Sequence, residues 1–294
     1  MPSTRDIRRR IKSVKNTAQI TKAMEKVAQA KMAKAQQAAI GGRPYAELMN
    51  RVLAEVVVHA GDFQHPFMES RGGEKRALIL VTTDKGLCGG LNTNLLRKVS
   101  DEFVTENTHV VSAGRKGAQF ATRSGWDLAA EFSYGDPPSF GEARAIAKLA
   151  IDLFEKAEVD HVDIAFTNFI NTITQKPEVQ TLLPITEIKG VQAGVEGEET
   201  STELAGGATE FLFEPSAGGV LSELLPHYIN FQVHQILLEA KASEHSSRMV
   251  AMKNATDNAN QLIKDLTLEY NKLRQAAITN ELLEITSAQM ALGN

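Results

Sequence analysis

Read for hydrophobic positions alone, the chain falls into three parts. From residue 3 to about 58, apolar residues recur at threes and fours, at Ile7, Ile11, Val14 and Ala18, then at Ile20, Met24 and Val27. That spacing predicts one face of a long helix, and alanines fill many of the other positions. Gly41-Gly42-Arg43-Pro44 interrupts the pattern, and a kink or break is expected there. Pro removes a backbone donor and Gly loosens the chain. Residues 60–75 are a polar link containing Gly and Pro.

From residue 76 the period changes. RALILVTT (76–83), HVVSAG (109–114), HVDIAFTNFI (161–170) and VQTLLPI (179–185) are strand candidates. Helices are expected over 91–106, 115–124 and 139–157, with Pro137-Pro138 marking a turn before the last. Strands alternating with helices of this length predict a small α/β layer with a mostly parallel sheet. The acidic, Gly-rich stretch 189–207 is expected to be an exposed, mobile loop.

The last third is helical again. Leu221, Leu224 and Leu225 lead in, Pro226 is expected to bend the start, and Val233, Ile236, Leu237 and Ala240 follow. Leu262, Leu266, Tyr270, Leu273 and Ala277 continue the spacing, then Ile278, Leu282 and Ile285. Neither Pro nor Gly occurs between 227 and 292. One helix of that length would measure ~100 Å at 1.5 Å per residue, more than a compact domain spans. It is too polar to cross a membrane and shows no repeat, which leaves a coiled coil. Its natural partner is the long N-terminal helix, paired antiparallel. The expected organisation is an N-terminal coiled-coil helix over 1–60, an inserted α/β domain over 75–208 and a C-terminal coiled-coil helix over 209–294.

Charge adds an asymmetry. The net charge is −4, yet residues 1–43 carry eleven Lys and Arg against Asp6 and Glu25. A basic end on an acidic protein implies an acidic partner, and nucleic acid, lipid and protein all stay open on this ground. The lone cysteine, Cys88, rules out an intrachain disulfide or a cysteine-cluster zinc site and fits a reducing compartment. The 43% hydrophobic content includes no apolar run near the ~18–20 residues that a membrane span needs.

One stretch resembles a phosphate-binding loop. TTDKGLCGGLN (82–92) joins a strand to a helix and holds Gly86, Gly89 and Gly90. The dinucleotide fingerprint needs G-x-G-x-x-G, whereas this turn has G-x-x-G-G; a P-loop needs Lys-Ser or Lys-Thr after its glycines. A tight strand-to-helix turn is the expectation. Cys88, near a helix start, could be a nucleophile with His109 or His161, or a small buried thiol, which is the expected case. Asp160 and Asp163, flanking His161, are expected to be solvated. The basic helix could grip nucleic acid, but its charges face all sides with few aromatics between them; a solvated surface is the alternative. Two rival functions follow: a nucleotide-dependent α/β enzyme using the 82–92 turn, or a nucleic-acid-binding coiled-coil protein.

Three separated motifs carry a resemblance. IKSVKNTAQITKAMEKVAQAKM at the N-terminus, TTDKGLCGGLN in the middle, and HSSRMVAMKNATDNANQLIKDL with YNKLRQAAITNELLEI at the C-terminus resemble, in order, those of the γ subunit of the rotary ATP synthase. The similarity covers essentially the whole chain. It implies an antiparallel coiled coil of the terminal helices with an inserted Rossmann-like α/β domain that has no nucleotide site. It implies a non-catalytic central-stalk rotor that couples proton flow to ATP synthesis and hydrolysis. The implied partners are the α and β subunits, the ε subunit and the membrane c-ring, with no cofactor, metal or nucleic acid. The implied location is peripheral, on the cytoplasmic face of a bacterial inner membrane. By the same resemblance Met24 lies near the mobile lever of β; Lys22 and Lys26, in the basic stretch 8–34, are expected on charge grounds to face acidic levers of β. Arg274 and Gln275 meet a loop of β, and Arg248, Thr279 and Glu281 form a set coupled to Met24. In TEFLFEPS (209–216), Phe211, Phe213 and Glu214 are expected at the foot that meets the c-ring, with packing inside the α/β domain as the alternative for the two rings. The family's C-terminal Gly-Ala is replaced by Ala288-Gln289. The cysteine pair of chloroplast members is absent, which points to a bacterial-type chain.

Overall fold

The computed structural model describes residues 3–60, 65–185, 214 and 216–292. They form two compact bodies, one of Met1–Val27 with Met249–Asn294 and one of Ala28–Arg248. Two helices, α1 (Thr4–Gly41) and α6 (Ala217–Leu292), each contribute to both.

In the first body the two helices pair antiparallel. Ile7 and Ala18 of α1 are buried, with Ile11, Val14 and Thr21 half-buried between and after them. On α6 the covered positions include Met252, Thr256, Ala259, Ile263, Leu266, Tyr270 and Leu273. Both series advance by alternate steps of three and four, a 3.5-residue period that defines a left-handed coiled coil. Thr21 and Thr256 meet across the seam, hydroxyl to hydroxyl at 2.7 Å. Beyond Leu273 the cover ends: residues 274–290 are exposed on every side, Ile278, Leu282, Leu283 and Ile285 included.

The second body is built on a five-stranded sheet of order β3-β2-β1-β4-β5. Its strands are β1 (Arg76–Val81), β2 (Thr108–Ala113), β3 (Asp127–Phe132), β4 (His161–Phe169) and β5 (Gln175–Leu183). The first four in that order are parallel and β5 is antiparallel to β4. Alternation along β1 assigns the two faces. Leu78 and Leu80 join Leu95 and Val99 of α3 (Leu91–Glu102) and Ala121 of α4 (Arg115–Arg123) in one core. Ala77, Ile79 and Val81 join the other core with α2 (Arg43–Ala60), α5 (Phe140–Glu155) and the start of α6. The strongly apolar β1 is thus buried on both faces, as a parallel central strand requires.

Several elements depart from the sequence pattern. α3 ends at Glu102 rather than 106, because Phe103 turns extended and is buried in the core. β3 was not anticipated at all. It is an edge strand of half-covered residues, DLAAEF, whose alanines and charges give little β signal. β5 starts at Gln175, four residues early, and tolerates Pro177 because it lies on the sheet edge. The helix does break at the glycine pair, α1 stopping at Gly41 and α2 starting at Arg43. Pro226 lies within α6. Asp163 is not solvated: it is 1% exposed, paired at 2.8 Å with Arg76 of β1, and it accepts from Thr181 of β5. The neighbouring strands supply the cation and hydroxyl that a buried carboxylate needs. Phe211, Phe213 and the 189–207 stretch lie outside the described residues.

Candidate functional site: the strand ends and helix α6

In an open parallel sheet the place to look for a ligand is the crevice beyond the strands' carboxyl ends, where successive connections diverge. Here β1 leads through α3 to β2 on one side, while β4 lies on the other side of β1. The glycine turn opens at this point. In this protein a short run of α6 occupies it.

Four consecutive residues of α6, His245 to Arg248, reach three other segments. The hydroxyl of Ser247 donates to the carbonyl of Cys88 at 2.6 Å. Nη2 of Arg248 donates to the carbonyls of Lys85 and Gly86 at 3.2 and 3.3 Å. Ser246 donates to the carbonyl of Thr172 in the β4–β5 hairpin at 2.7 Å. His245 meets Asp136, in the loop after β3, at 2.9 Å. Glu244 accepts from Arg248 at 2.8 Å and from Lys241 at 3.0 Å. Lys241 in turn lies 4.4 Å from the ring centre of Tyr134, whose hydroxyl donates to the carbonyl of Thr82 at the end of β1.

The electrostatics follow from this packing. Burial by itself would raise the pKa of Glu244, but Lys241 and Arg248 outweigh it and hold the carboxyl below its ordinary value. Burial dominates at His245 and lowers its pKa despite Asp136 beside it. Arg248 Nη1 lies 3.4 Å from His245 Nδ1. Arginine only donates, so Nδ1 accepts and Nε2–H faces Asp136, which fixes one neutral tautomer.

The turn itself has the wrong polarity for a phosphate. A phosphate loop converges backbone N–H groups on the anion. This one directs the carbonyls of Lys85, Gly86 and Cys88 at a guanidinium and a hydroxyl. The start of α4 is taken as well, because the Arg115 N–H donates to the side chain of Asp84 at 3.0 Å. Between these turns Gly114 has φ +110, and a Cβ there would lie 2.2 Å from the carbonyl of Thr82, so the two connections close on each other. Leu87 and Gly89 both have left-handed φ, at 63° and 60°. Cys88 is buried, and burial pushes its thiol pKa up, with Arg248 opposing.

The residues singled out from sequence separate into groups. Lys22 lines a groove of the first body with Lys15, Gln19, Glu25, Asp257 and Asn260. Met24 is half-buried and Lys26 exposed on α1. Arg274, Gln275, Thr279 and Glu281 are all in the uncovered part of α6, where the Thr279 hydroxyl donates back to the carbonyl of Gln275 at 2.9 Å. Arg248 belongs instead to the second body and is engaged as above. Glu214 is exposed at a bend. Sequence reasoning missed Lys241, Glu244, His245 and Asp136. The signal was there in part: KASEHSSR puts Lys241, Glu244 and Arg248 at helical spacings on one face.

A family model described as ATP synthase matches residues 3–292. The ATP synthase gamma chain of Opitutus terrae is 51% identical, covering 99% of each chain. That of Methylacidiphilum infernorum is 45% identical over 100% of both. A chain of the central stalk and c-ring of Tetrahymena thermophila mitochondrial ATP synthase is 25% identical, covers 80% of this chain and 99% of its own, and superposes with a TM-score of 0.58. A chain of the Euglena gracilis mitochondrial ATP synthase rotor shares the fold at 20% identity and a TM-score of 0.63, over 94% of this chain and 98% of that one. With whole-length identity to gamma chains and a glycine turn bound to its own helix rather than open to a ligand, this chain belongs to the ATP synthase gamma family.

Proposed function

We propose that the protein is the central-stalk rotor of an ATP synthase, transmitting rotation between a membrane c-ring and the catalytic α and β subunits and performing no chemistry of its own. The observation that carries this reading is the uncovered end of α6. A helix that leaves Ile278, Leu282 and Ile285 exposed beyond its partner fits a surrounding protein sleeve. In this reading Met24, Lys22 and Lys26 on α1, with Arg274, Gln275, Thr279 and Glu281 on α6, face the α and β subunits. Arg248, expected in the same set, acts through the second body. Phe211, Phe213 and Glu214 belong to the foot that meets the c-ring, beside ε. No helix among the described residues is long and apolar enough to cross a membrane, which suits a peripheral subunit on the cytoplasmic face of a bacterial inner membrane.

The test is reconstitution. Combined with α and β subunits and stripped membranes, the chain should restore ATP-driven proton pumping, and cysteines at 209–214 should crosslink to c-ring polar loops. Failure to assemble with α and β rejects the proposal. Tight binding of labelled nucleotide by the isolated chain would favour an α/β enzyme. Specific DNA binding that survives physiological salt would favour a nucleic-acid protein.

A further inference from the structure

Asp136 is the point at which three segments of the second body meet. Its Oδ2 accepts from Nζ of Lys31 on α1 at 2.8 Å and from Nε2 of His245 on α6 at 2.9 Å. The loop that carries it is fixed to the α/β domain by its neighbour. The Gly135 N–H donates to Glu142 at 2.8 Å, and the same Glu142 carboxylate closes the capping box with Ser139 at the start of α5. Burial would raise the pKa of Asp136, but Lys31 and His245 outweigh it and keep the carboxylate ionised. The chain of contacts continues from His245 to Arg248, and from Arg248 to the glycine turn.

The need for such a contact lies in how α1 packs here. Its buried positions in this body are Ala28, Ala35 and Ala39, and Ala35 clusters with Ala242 and Phe169. Alanine faces let helices approach closely but present few projections that interlock. Dispersion and apolar burial are non-directional, so a smooth seam resists separation better than it resists rotation. Charge-assisted hydrogen bonds are directional and strong enough to fix an angle.

We propose that Asp136 is a positioning residue of the rotor, clamping α1 and α6 onto the α/β domain so that torque entering the domain reaches both helices without slack. This rests on the rotor reading above. The clamp has a cost in exposure: Lys31 remains 49% exposed, so the contact is partly screened and gains from the second partner at His245.

The experiment compares Asp136→Asn, Asp136→Ala, Lys31→Met and the conservative Lys31→Arg. Amide exchange is followed in the full-length isolated chain. ATP hydrolysis and proton pumping are followed in the assembled enzyme in inverted vesicles, against a rising opposing gradient. For Asp136→Asn, exchange across 133–138 and 241–248 should rise about tenfold, as expected for loss of a charge-assisted bond. Protons pumped per ATP should fall severalfold under load while hydrolysis stays within about twofold, and Lys31→Arg should behave as the parent. Unchanged exchange overturns the clamp whatever the rotor does. Faster exchange with an unchanged pumping yield overturns its role in torque. A proportional fall of both activities with the amount of assembled complex reduces Asp136 to a folding residue. If the parent chain fails to pump, the rotor reading falls, and the exchange measurement still decides whether Asp136 ties the three segments.

Discussion

The hydroxyl of Ser247 lies 2.6 Å from the carbonyl oxygen of Cys88, 159 positions earlier in the chain. This contact explains how a turn can carry the glycines of a phosphate loop and yet serve another purpose. The crevice that an α/β sheet offers a ligand is filled by its own C-terminal helix. The carbonyls that line it are matched to Ser247 and Arg248, not to an anion. The glycine turn becomes a socket for α6, and the strand ends become a seat.

Cys88 is expected to be inert. It is buried, its thiol pKa is raised by burial, and its neighbours are Thr83 and Asn92 rather than a base. Cys88→Ser should leave the assembled enzyme's ATPase rate nearly unchanged. In the folded chain, a thiol reagent should react far more slowly than in denaturant. A loss of several orders of magnitude in ATPase, or equal labelling in both states, would contradict this.

Glu244 is expected to be among the costliest polar positions to remove. Its carboxylate, at 5% exposure, is the shared partner of Lys241 and Arg248. Glu244→Ala leaves two cations in a dry environment, a loss of about 3–5 kcal/mol for breaking a buried pair. Denaturant unfolding of the isolated chain measures it. A double-mutant cycle with Arg248→Ala should then give a coupling of about 1 kcal/mol or more. Additive losses would mean that the two side chains do not support each other.

A pH dependence follows from His245. The groups facing it are Asp136 from the loop after β3, Glu244 and Arg248 from its own helix, and Lys31 through Asp136. Its folded pKa lies below the ordinary value of 6.5. The unfolded chain therefore binds the proton first. The stability it contributes is complete above that value and is lost as pH falls below it toward the folded pKa. Asp136 and Glu244, with lowered pKa values, lose theirs only in the more acidic range, below ordinary carboxylate values. His65 and His234 are shifted in the same direction as His245, so the quantity to read is a difference. Between pH 6.5 and the folded pKa, His245→Gln should flatten the stability slope by up to about 1.4 kcal/mol per pH unit, one proton's worth. Equal slopes in the two proteins would remove His245 from the account.

What was legible in the sequence divides along physical lines. The coiled coil could be read because its repeat runs through Ile7, Ile11, Val14 and Ala18 without a helix breaker, and periodicity is a local property. The β1 strand could be read because RALILV is apolar on both faces. β3 could not, since DLAAEF earns its place by pairing with β2 rather than by its own pattern. The Asp136–His245 contact spans 109 positions and depends on tertiary packing that no local pattern encodes. Asp163 was misjudged for the same reason, its cation arriving from β1. Arg248 was singled out by resemblance and helical spacing put it beside Glu244, but its engagement with the glycine turn, 162 positions away, became visible only in three dimensions.

Met24 offers a test of transmission between the helices and the β subunits. It is half-buried, flexible and unbranched, able to slide past a changing surface. A lysine there would pair with acidic groups and favour one orientation. Met24→Lys is expected to lower proton pumping more than ATP hydrolysis in membrane vesicles. Equal loss of both, or loss of neither, would reject the role.

The basic surface of α1 now divides in two. Lys31 places its ammonium on Asp136, whereas Lys22 lines an open groove of the first body beside Glu25 and Asp257. A rotor inside a sleeve must not stick at any angle. Apolar contact would hold it at about 25 cal/mol per Å² buried, while each exposed charge pair holds with only about 0–1 kcal/mol. Lys22 and Lys26 are therefore expected to tolerate Arg singly, because charge rather than shape is what they supply. Replacing both by Glu should weaken torque and make the residual coupling salt-sensitive, since exposed charges are screened over about 8–10 Å. Lys31→Glu should behave differently, loosening the clamp through repulsion with Asp136 and raising amide exchange in the isolated chain, where no β subunit is present. Single-molecule rotation under load reads the first effect and exchange the second. Undiminished torque in the Lys22→Glu, Lys26→Glu variant would show that this surface is solvated and that fit alone holds the rotor in place.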